Sequence, residues 1–314
     1  MTVEQNDLTL RPLTGPGELP LFTRLPYQMN DELAADLAGG RRRPSWMWVA
    51  LRGDRLVARA AWWCRPHHDA PFLLDVFDLD DTAPDRLDVG ARLLRAAMAE
   101  IVPPDGPVPE YVRIVPPDWR ESPGLREPVE DRRSVLKDLG ARPLVERLRM
   151  EWRRGGPVPE PDGRLVFRPV GAAEELIGLM AEVLEGTLDA HGRADLTRMT
   201  ARAAAEAQYG DELTGYRSPR EWWRIATLPD GEPVGFVIPA HNGYNPIIAY
   251  IGVRPAHRGR GYVDAILGEG TRILAAQGVD RIRASTDVGN TPMAEAFARA
   301  GYPASEHQLD MTWD

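Results

Sequence analysis

Ile247-Ile248-Ala249-Tyr250-Ile251-Gly252-Val253-Arg254-Pro255-Ala256-His257-Arg258-Gly259-Arg260-Gly261-Tyr262-Val263 is the stretch from which the rest of this chain can be read. An apolar strand runs to Val253, a loop with three arginines and two glycines turns, and a helix begins at about Tyr262. Glycine lets the backbone come close to a ligand. The free N–H groups and positive dipole end of the helix then face whatever sits in the turn. Such a turn suits an anion, a phosphate or pyrophosphate first of all. The plainer alternative is a solvated arginine-rich loop.

Working outward, the clearest break is Arg153-Arg154-Gly155-Gly156-Pro157-Val158-Pro159-Glu160-Pro161-Asp162-Gly163, whose prolines and glycines stop any helix or central strand. The halves on either side repeat. Leu8-Thr9-Leu10-Arg11-Pro12-Leu13 returns 157 positions later as Leu165-Val166-Phe167-Arg168-Pro169-Val170, and Leu148-Arg149-Met150-Glu151-Trp152 returns 161 positions later as Leu309-Asp310-Met311-Thr312-Trp313. Each half reads as a strand, a helical region, a hairpin (Trp46 to Trp63; Trp222 to Pro239), and a third strand (Phe72 to Phe77; Ile247 to Val253). A helix, a short strand, a second helix and a closing strand follow. The expectation is α/β (α+β): a tandem duplication of one mixed, largely antiparallel sheet flanked by helices. The domains fall at 1–153 and 165–314, with 154–164 as linker.

Composition excludes several functions. At 314 residues, 43% hydrophobic and 27% charged, the chain is an ordinary globular protein of two-domain size. No apolar run approaches membrane-spanning length and the N-terminus lacks a secretion signal, so the expected location is cytoplasmic, away from membranes. A net charge of −9 argues against a nucleic-acid partner. Lys137 is the single lysine, on what reads as an exposed helix face; no phosphate loop ending Gly-Lys exists. Cys64 is the single cysteine, a packed thiol. The cluster Cys64-Arg65-Pro66-His67-His68-Asp69 matches no standard metal spacing and reads as a hairpin tip, so no metal is expected.

Arg258-Gly259-Arg260-Gly261 after the strand end at Val253 resembles the acetyl-CoA pyrophosphate loop of the GNAT N-acetyltransferase family, whose pattern is Gln/Arg-x-x-Gly-x-Gly/Ala. Downstream, Asn290 followed by Ala294-Glu295-Ala296-Phe297 and ending Gly301-Tyr302 resembles that family's second signature. The order of elements over residues 165–314 agrees as well. The resemblance implies acyl-CoA-dependent transfer, acetyl from acetyl-CoA first of all, to an amine of a small molecule or peptide. It implies that Ile251 and Val253 offer backbone groups to the pantetheine arm and that the backbone of Arg258, Gly259, Arg260, Gly261, Tyr262 and Val263 holds the pyrophosphate. Asn290 then meets the thioester end. Val263 stands where Gly or Ala is usual. Ala298 stands where many members carry a tyrosine that protonates the thiolate.

The proton acceptor is less defined. Tyr250 is the only ionisable side chain on the strand before the loop, Asp287 is the nearest carboxylate, and His241 is a third option. No cysteine or activated serine lies near the motif, so attack on the thioester is direct. In the first half the equivalent loop, Asp78 to Asp88, holds five aspartates and no glycine, and Val129 falls opposite Asn290. That half reads as the same fold without cofactor function. Nine acids in the helical region of the second half, Glu174, Glu175, Glu182, Glu185, Asp189, Asp195, Glu206, Asp211 and Glu212, against Arg193, Arg198 and Arg202, favour a cationic or neutral acceptor. Alternatives are a non-catalytic CoA-binding protein, and a longer acyl transfer or decarboxylation on the same cradle.

Overall fold

The computed structural model describes residues 8–65, 68–104 and 106–313. Contacts divide the chain into two units, Met1–Leu144 with Leu309–Asp314, and Val145–Gln308.

In the first unit β1 (Leu8–Pro12) leads through two short helices, α1 (Leu19–Phe22) and α2 (Leu33–Ala38), to the hairpin of β2 (Met47–Arg52) and β3 (Arg55–Trp63). Next come β4 (Leu73–Leu79), α3 (Arg86–Ile101), β5 (Glu110–Val115) and α4 (Pro123–Asp138). Strands β1 to β4 pair antiparallel in sequence order, and β4 pairs parallel with β5. Aliphatic and aromatic residues alternate to both sheet faces. Trp62, Phe77, Leu93 and Leu94 fill one face; Phe22, Leu33, Val49 and Val76 fill the other. Cys64 is buried, its thiol pushed up by that burial. Of its cluster, Pro66 and His67 lie outside the described residues. Lys137 is exposed on α4, as its sequence context suggests.

Strand β6 (Arg142–Arg153) crosses the division, and from Arg147 to Arg153 it pairs antiparallel with β11 (Arg281–Asp287). The units therefore part inside β6, upstream of residues 154–164. That proline-rich stretch lies within the second unit and packs on it. Trp152 Nε1–H donates to the Pro157 carbonyl at 2.9 Å, Arg272 donates to the Pro159 carbonyl at 3.0 Å, and Arg154 N–H to Asp280 at 2.9 Å. The repeated closing strands thus fall in opposite units: Leu148–Trp152 in the second, Leu309–Trp313 in the first.

The second unit contains β7 (Val166–Pro169), α5 (Ala173–Leu184), α6 (Ala190–Leu196), α7 (Ala201–Asp211), β8 (Arg224–Thr227), β9 (Pro233–His241) and β10 (Pro246–Val253). These are followed by α8 (Tyr262–Ala275), β11, α9 (Thr291–Arg299) and the start of β12 (Ala304–Thr312), which passes into the first unit at Leu309. Strands β7 to β10 pair antiparallel in order, and β10 pairs parallel with β11. Helix α5 buries Leu176, Leu179, Met180 and Val183 on one sheet face, while α8 buries Ile266, Leu267 and Leu274 on the other. The expected elements form within a residue or two of their sequence bounds. Among the described residues no helix is long and apolar enough to cross a membrane.

Candidate functional site

Strands β10 and β11 are neighbours, yet they are bonded at one pair, Ile247 with Arg283, and separate beyond it. Which backbone groups this exposes follows from antiparallel alternation. Arg254 N–H donates to the Val234 carbonyl at 2.8 Å, so Gly252 and Tyr250 face β9, and Ile251 and Val253 turn their N–H and C=O groups to the opposite edge. These are the two residues expected to meet the pantetheine arm. The Val253 carbonyl already accepts from Arg258 Nε at 3.1 Å. Gly252 permits this geometry: a Cβ there would stand 2.6 Å from Val183 Cγ1 of α5.

The loop after β10 turns on Gly259 (φ 74°) and Gly261 (φ 73°), both in the left-handed region that side chains disfavour. Gly261 is the N-cap of α8, and no side chain caps that helix. Loop hydrogen bonds stop at Arg258 N–H to Pro255 (3.3 Å) and resume at Asp264 N–H to Gly261 (3.3 Å). The amides between, from Gly259 to Val263, are left to an external acceptor. Tyr262 and Val263 form the first turn of α8, half-buried. Arg260 is exposed and makes no side-chain bond among the described residues.

Three side chains brace the loop. Arg258 serves through its backbone position and also as a clip: its guanidinium donates to the carbonyls of Val183 (2.7 Å) and Glu185 (2.7 Å), the orphan acceptors at the end of α5. Arg164 donates to the Arg260 carbonyl at 3.0 Å and pairs with Asp162 at 2.6 Å. Buried His257 meets Glu232 at 3.0 Å.

Asn290 is the N-cap of α9; its N–H donates to the Asp287 carbonyl at 2.9 Å, and its side chain makes no capping bond. Just before it lies a cavity of about 320 Å³ lined by Val145, Glu146, Leu188, Arg193, Asp287, Val288 and Gly289. Asp287 is 2% exposed; one oxygen accepts the Ala190 N–H at 2.6 Å, and the other sits 3.2 Å from Arg147 Nε without hydrogen-bond alignment. Burial first, and then the nearby Asp189, raise its pKa above the ordinary carboxylate range. Tyr250 stacks edge-on against Phe236, ring centroids 5.0 Å apart, and burial pushes its hydroxyl well above the usual phenol range. Asp189 raises both groups. His241 is exposed on a turn, its ring accepting the Gly243 N–H at 3.1 Å, and does not line the cavity. Ala298 is exposed, and the nearby Tyr302 hydroxyl is buried on Thr271 at 2.7 Å.

The sequence did not single out Glu146, Arg147 and His307, and Arg193 stood in it only as one of three arginines set against the helical acids. Glu146 and His307 are hydrogen-bonded, Nδ1 to Oε1, at 2.6 Å. The signal was present: they stand 161 positions apart, the offset of the closing-strand repeat. Of the nine helical acids, Glu174, Glu175, Glu182, Asp189, Asp195 and Glu206 each have an arginine within 4.0 Å, which removes much of the negative field expected of them.

Residues 193–302 match the acetyltransferase (GNAT) family. The fold is similar to that of a GCN5-related N-acetyltransferase from Sphaerobacter thermophilus, with 18% identity, TM-score 0.61, and coverage of 97% of this chain and 94% of that one. It is also similar to that of a tandem GNAT protein from the clavulanic acid biosynthesis pathway, with 15% identity, TM-score 0.53, and 98% of each chain covered. The splayed β10–β11 pair and the glycine turn into α8 lie inside the segment that matches the acetyltransferase (GNAT) family, and the chain as a whole has a fold similar to that of a tandem GNAT protein.

Proposed function

We propose that the second unit takes acetyl-CoA as co-substrate and transfers the acetyl group directly to an amine. The observation that carries this reading is the edge of β10 at Ile251 and Val253 running straight into the uncapped start of α8. An extended amide-bearing arm can bond that edge as an added strand does, and the diphosphate can take the amides of Gly259 to Val263. The fit is chemical: acceptors and donors along the edge, donors at the turn. Asn290 stands at the thioester end of such a path.

The amine nitrogen attacks the thioester carbonyl carbon, and the C–S bond breaks as the C–N bond forms. Of the two protons the ammonium gives up, one ends on the coenzyme sulfur and one in solvent. Tyr250 stays protonated, so it is suited to hydrogen-bond the departing thiolate rather than to act as base. Asp287 has one oxygen committed to the Ala190 N–H, which suits it to position the start of α6 beside the cavity. Glu146, which lines the cavity and is hydrogen-bonded to His307, is better placed to accept a proton.

Ala298 favours a second reading, a CoA-binding protein without turnover. Calorimetry with acetyl-CoA, followed by a free-thiol assay across an amine panel, tests both. Binding with thiol release and a product heavier by one acetyl group supports transfer; binding without release supports the second reading; absence of binding overturns both.

A further inference from the structure

The cavity beside Asn290 has a definite chemistry. Its rim carries two large apolar side chains left in water, Leu188 (46% exposed) and Val288 (44%). Three ionisable groups line it: Glu146 and Arg193, of opposite sign, and Asp287, whose carboxyl is buried on the Ala190 N–H. Glu146 is held by His307 at 2.6 Å, which fixes the carboxylate in place. Arg193 spends one N–H on the Leu188 carbonyl at 2.5 Å and has no carboxylate within ion-pair distance among the described residues. It contrasts with Arg198 and Arg202 on the same side of the unit, which are paired with Asp195 and with Glu174 and Glu206. A guanidinium held at a cavity wall without an acid is the group that recognises a carboxylate or phosphate from outside. The volume, about 320 Å³, is at the low end for ligand cavities and suits one small molecule.

We propose that this cavity selects an acceptor amine that carries its own carboxylate beside an apolar group: its carboxylate on Arg193, its ammonium at Glu146, its apolar part between Leu188 and Val288. An apolar α-amino acid has this arrangement. A polyamine does not, because it brings no carboxylate for Arg193 to hold and its second cation is repelled by that guanidinium. The inference rests on the acyl-transfer reading above and narrows its acceptor.

The test uses the full chain with acetyl-CoA and three acceptors that differ by one feature: leucine, leucinamide (no carboxylate) and spermidine (no carboxylate, no apolar branch). Free-thiol release gives kcat/KM for each. The expected result is leucine at least tenfold above leucinamide, spermidine lowest, and the leucine-to-leucinamide ratio falling to near one in Arg193→Gln. A merely structural Arg193 lowers all three together and leaves that ratio intact, which overturns the proposal. Leucinamide or spermidine used as well as leucine overturns it too. Acetyl-CoA binding without release from any of the three overturns this acceptor class and leaves the cofactor site standing. Failure to bind acetyl-CoA overturns the reading beneath it.

Discussion

β4 in the first unit and β10 in the second are the same strand of the same fold. Asp80 N–H donates to Val57 at 2.9 Å where Arg254 N–H donates to Val234 at 2.8 Å, so Leu79, Asp78 and Phe77 occupy the places of Val253, Gly252 and Ile251. Both strands part early from their parallel neighbour: β4 is paired with β5 at Leu73 and Leu74, β10 with β11 at Ile247. The difference lies in what occupies the gap. In the first unit Arg113 donates to the Phe77 carbonyl at 3.1 Å and Arg132 to the Leu79 carbonyl at 3.2 Å, while Ile114 N–H of β5 donates to the Tyr27 hydroxyl at 3.1 Å. Asp78, 1% exposed, sits among Arg59 (2.9 Å), Arg113 (2.9 Å) and Arg132 (3.7 Å). A side chain can stand there because α1 is four residues long; in the second unit the twelve-residue α5 brings Val183 down on Gly252.

This changes the physical reason for reading the first unit as without cofactor function. From sequence, its aspartates exclude a pyrophosphate by repulsion. In the fold most are neutralised where they stand: Asp80 by Arg55 (2.9 Å), Asp81 by Arg132 (2.9 Å), Asp85 by Arg52 (3.1 Å). What the fold shows is a strand gap filled by arginine and tyrosine side chains and a following turn without glycine. Val129, which the repeat sets opposite Asn290, lies in the middle of α4, buried against Trp119 and Val115; the residue at the N-cap of α4, the position Asn290 holds on α9, is Ser122.

The contrast can be broken at its strongest point first. Asp78→Ala leaves three guanidinium groups around a buried site without their shared carboxylate and should destabilise the protein by about 3–5 kcal/mol in denaturant unfolding. A loss below 1 kcal/mol would remove the plug from the account. In the second unit Gly261→Asp should weaken acetyl-CoA binding at least a hundredfold by calorimetry, about 2.7 kcal/mol, with Gly261→Asn much closer to wild type. Asn and Asp tolerate φ 73° alike, so the gap between the two variants reports charge at the cradle. Near-equal affinities would place the phosphates elsewhere. The same titration should give one cofactor per chain, and a second site would mean that the first unit is not sealed.

Gly252→Ala sharpens the comparison at lower cost, about 1–3 kcal/mol of overpacking against Val183. Asp78 and Asp287 also differ in pH response. Burial acts to raise Asp78, but Arg113, Arg59 and Arg132 outweigh it and hold its pKa below the ordinary range. Its contribution is present above the unfolded-state value, ~3.9, and is lost as pH falls through the lower native value. Asp287 is raised, so its contribution is greatest below the unfolded-state value and is lost as pH rises through the native one. Asp287→Asn, which keeps an oxygen for the Ala190 N–H, should therefore change stability at pH 7 by less than about 1 kcal/mol. Urea unfolding of that variant between pH 4 and 7 checks this, and a larger loss would mean that the Arg147 contact stabilises the ionised form.

What the sequence determined by itself is local. Glycine spacing before a helix, strand alternation, turn residues and a repeat at 157 to 161 positions are each carried by a few adjacent side chains, and they gave the elements, the duplicated fold and the glycine turn into α8. What the tertiary structure decided is long-range. Arg147 to Arg153 of β6 joins β11, 128 to 140 residues away in the chain, because a sheet edge is satisfied by whichever strand the fold brings to it. Glu146 meets His307 and Arg193 lines the same cavity wall only once those strands and α6 are in place. Asp78 follows the same logic: in sequence it is one aspartate in an acidic run, while in the fold three distant arginines make it the centre of a sealed gap. Charge and burial are properties of neighbours in space, and no spacing along the chain encodes them.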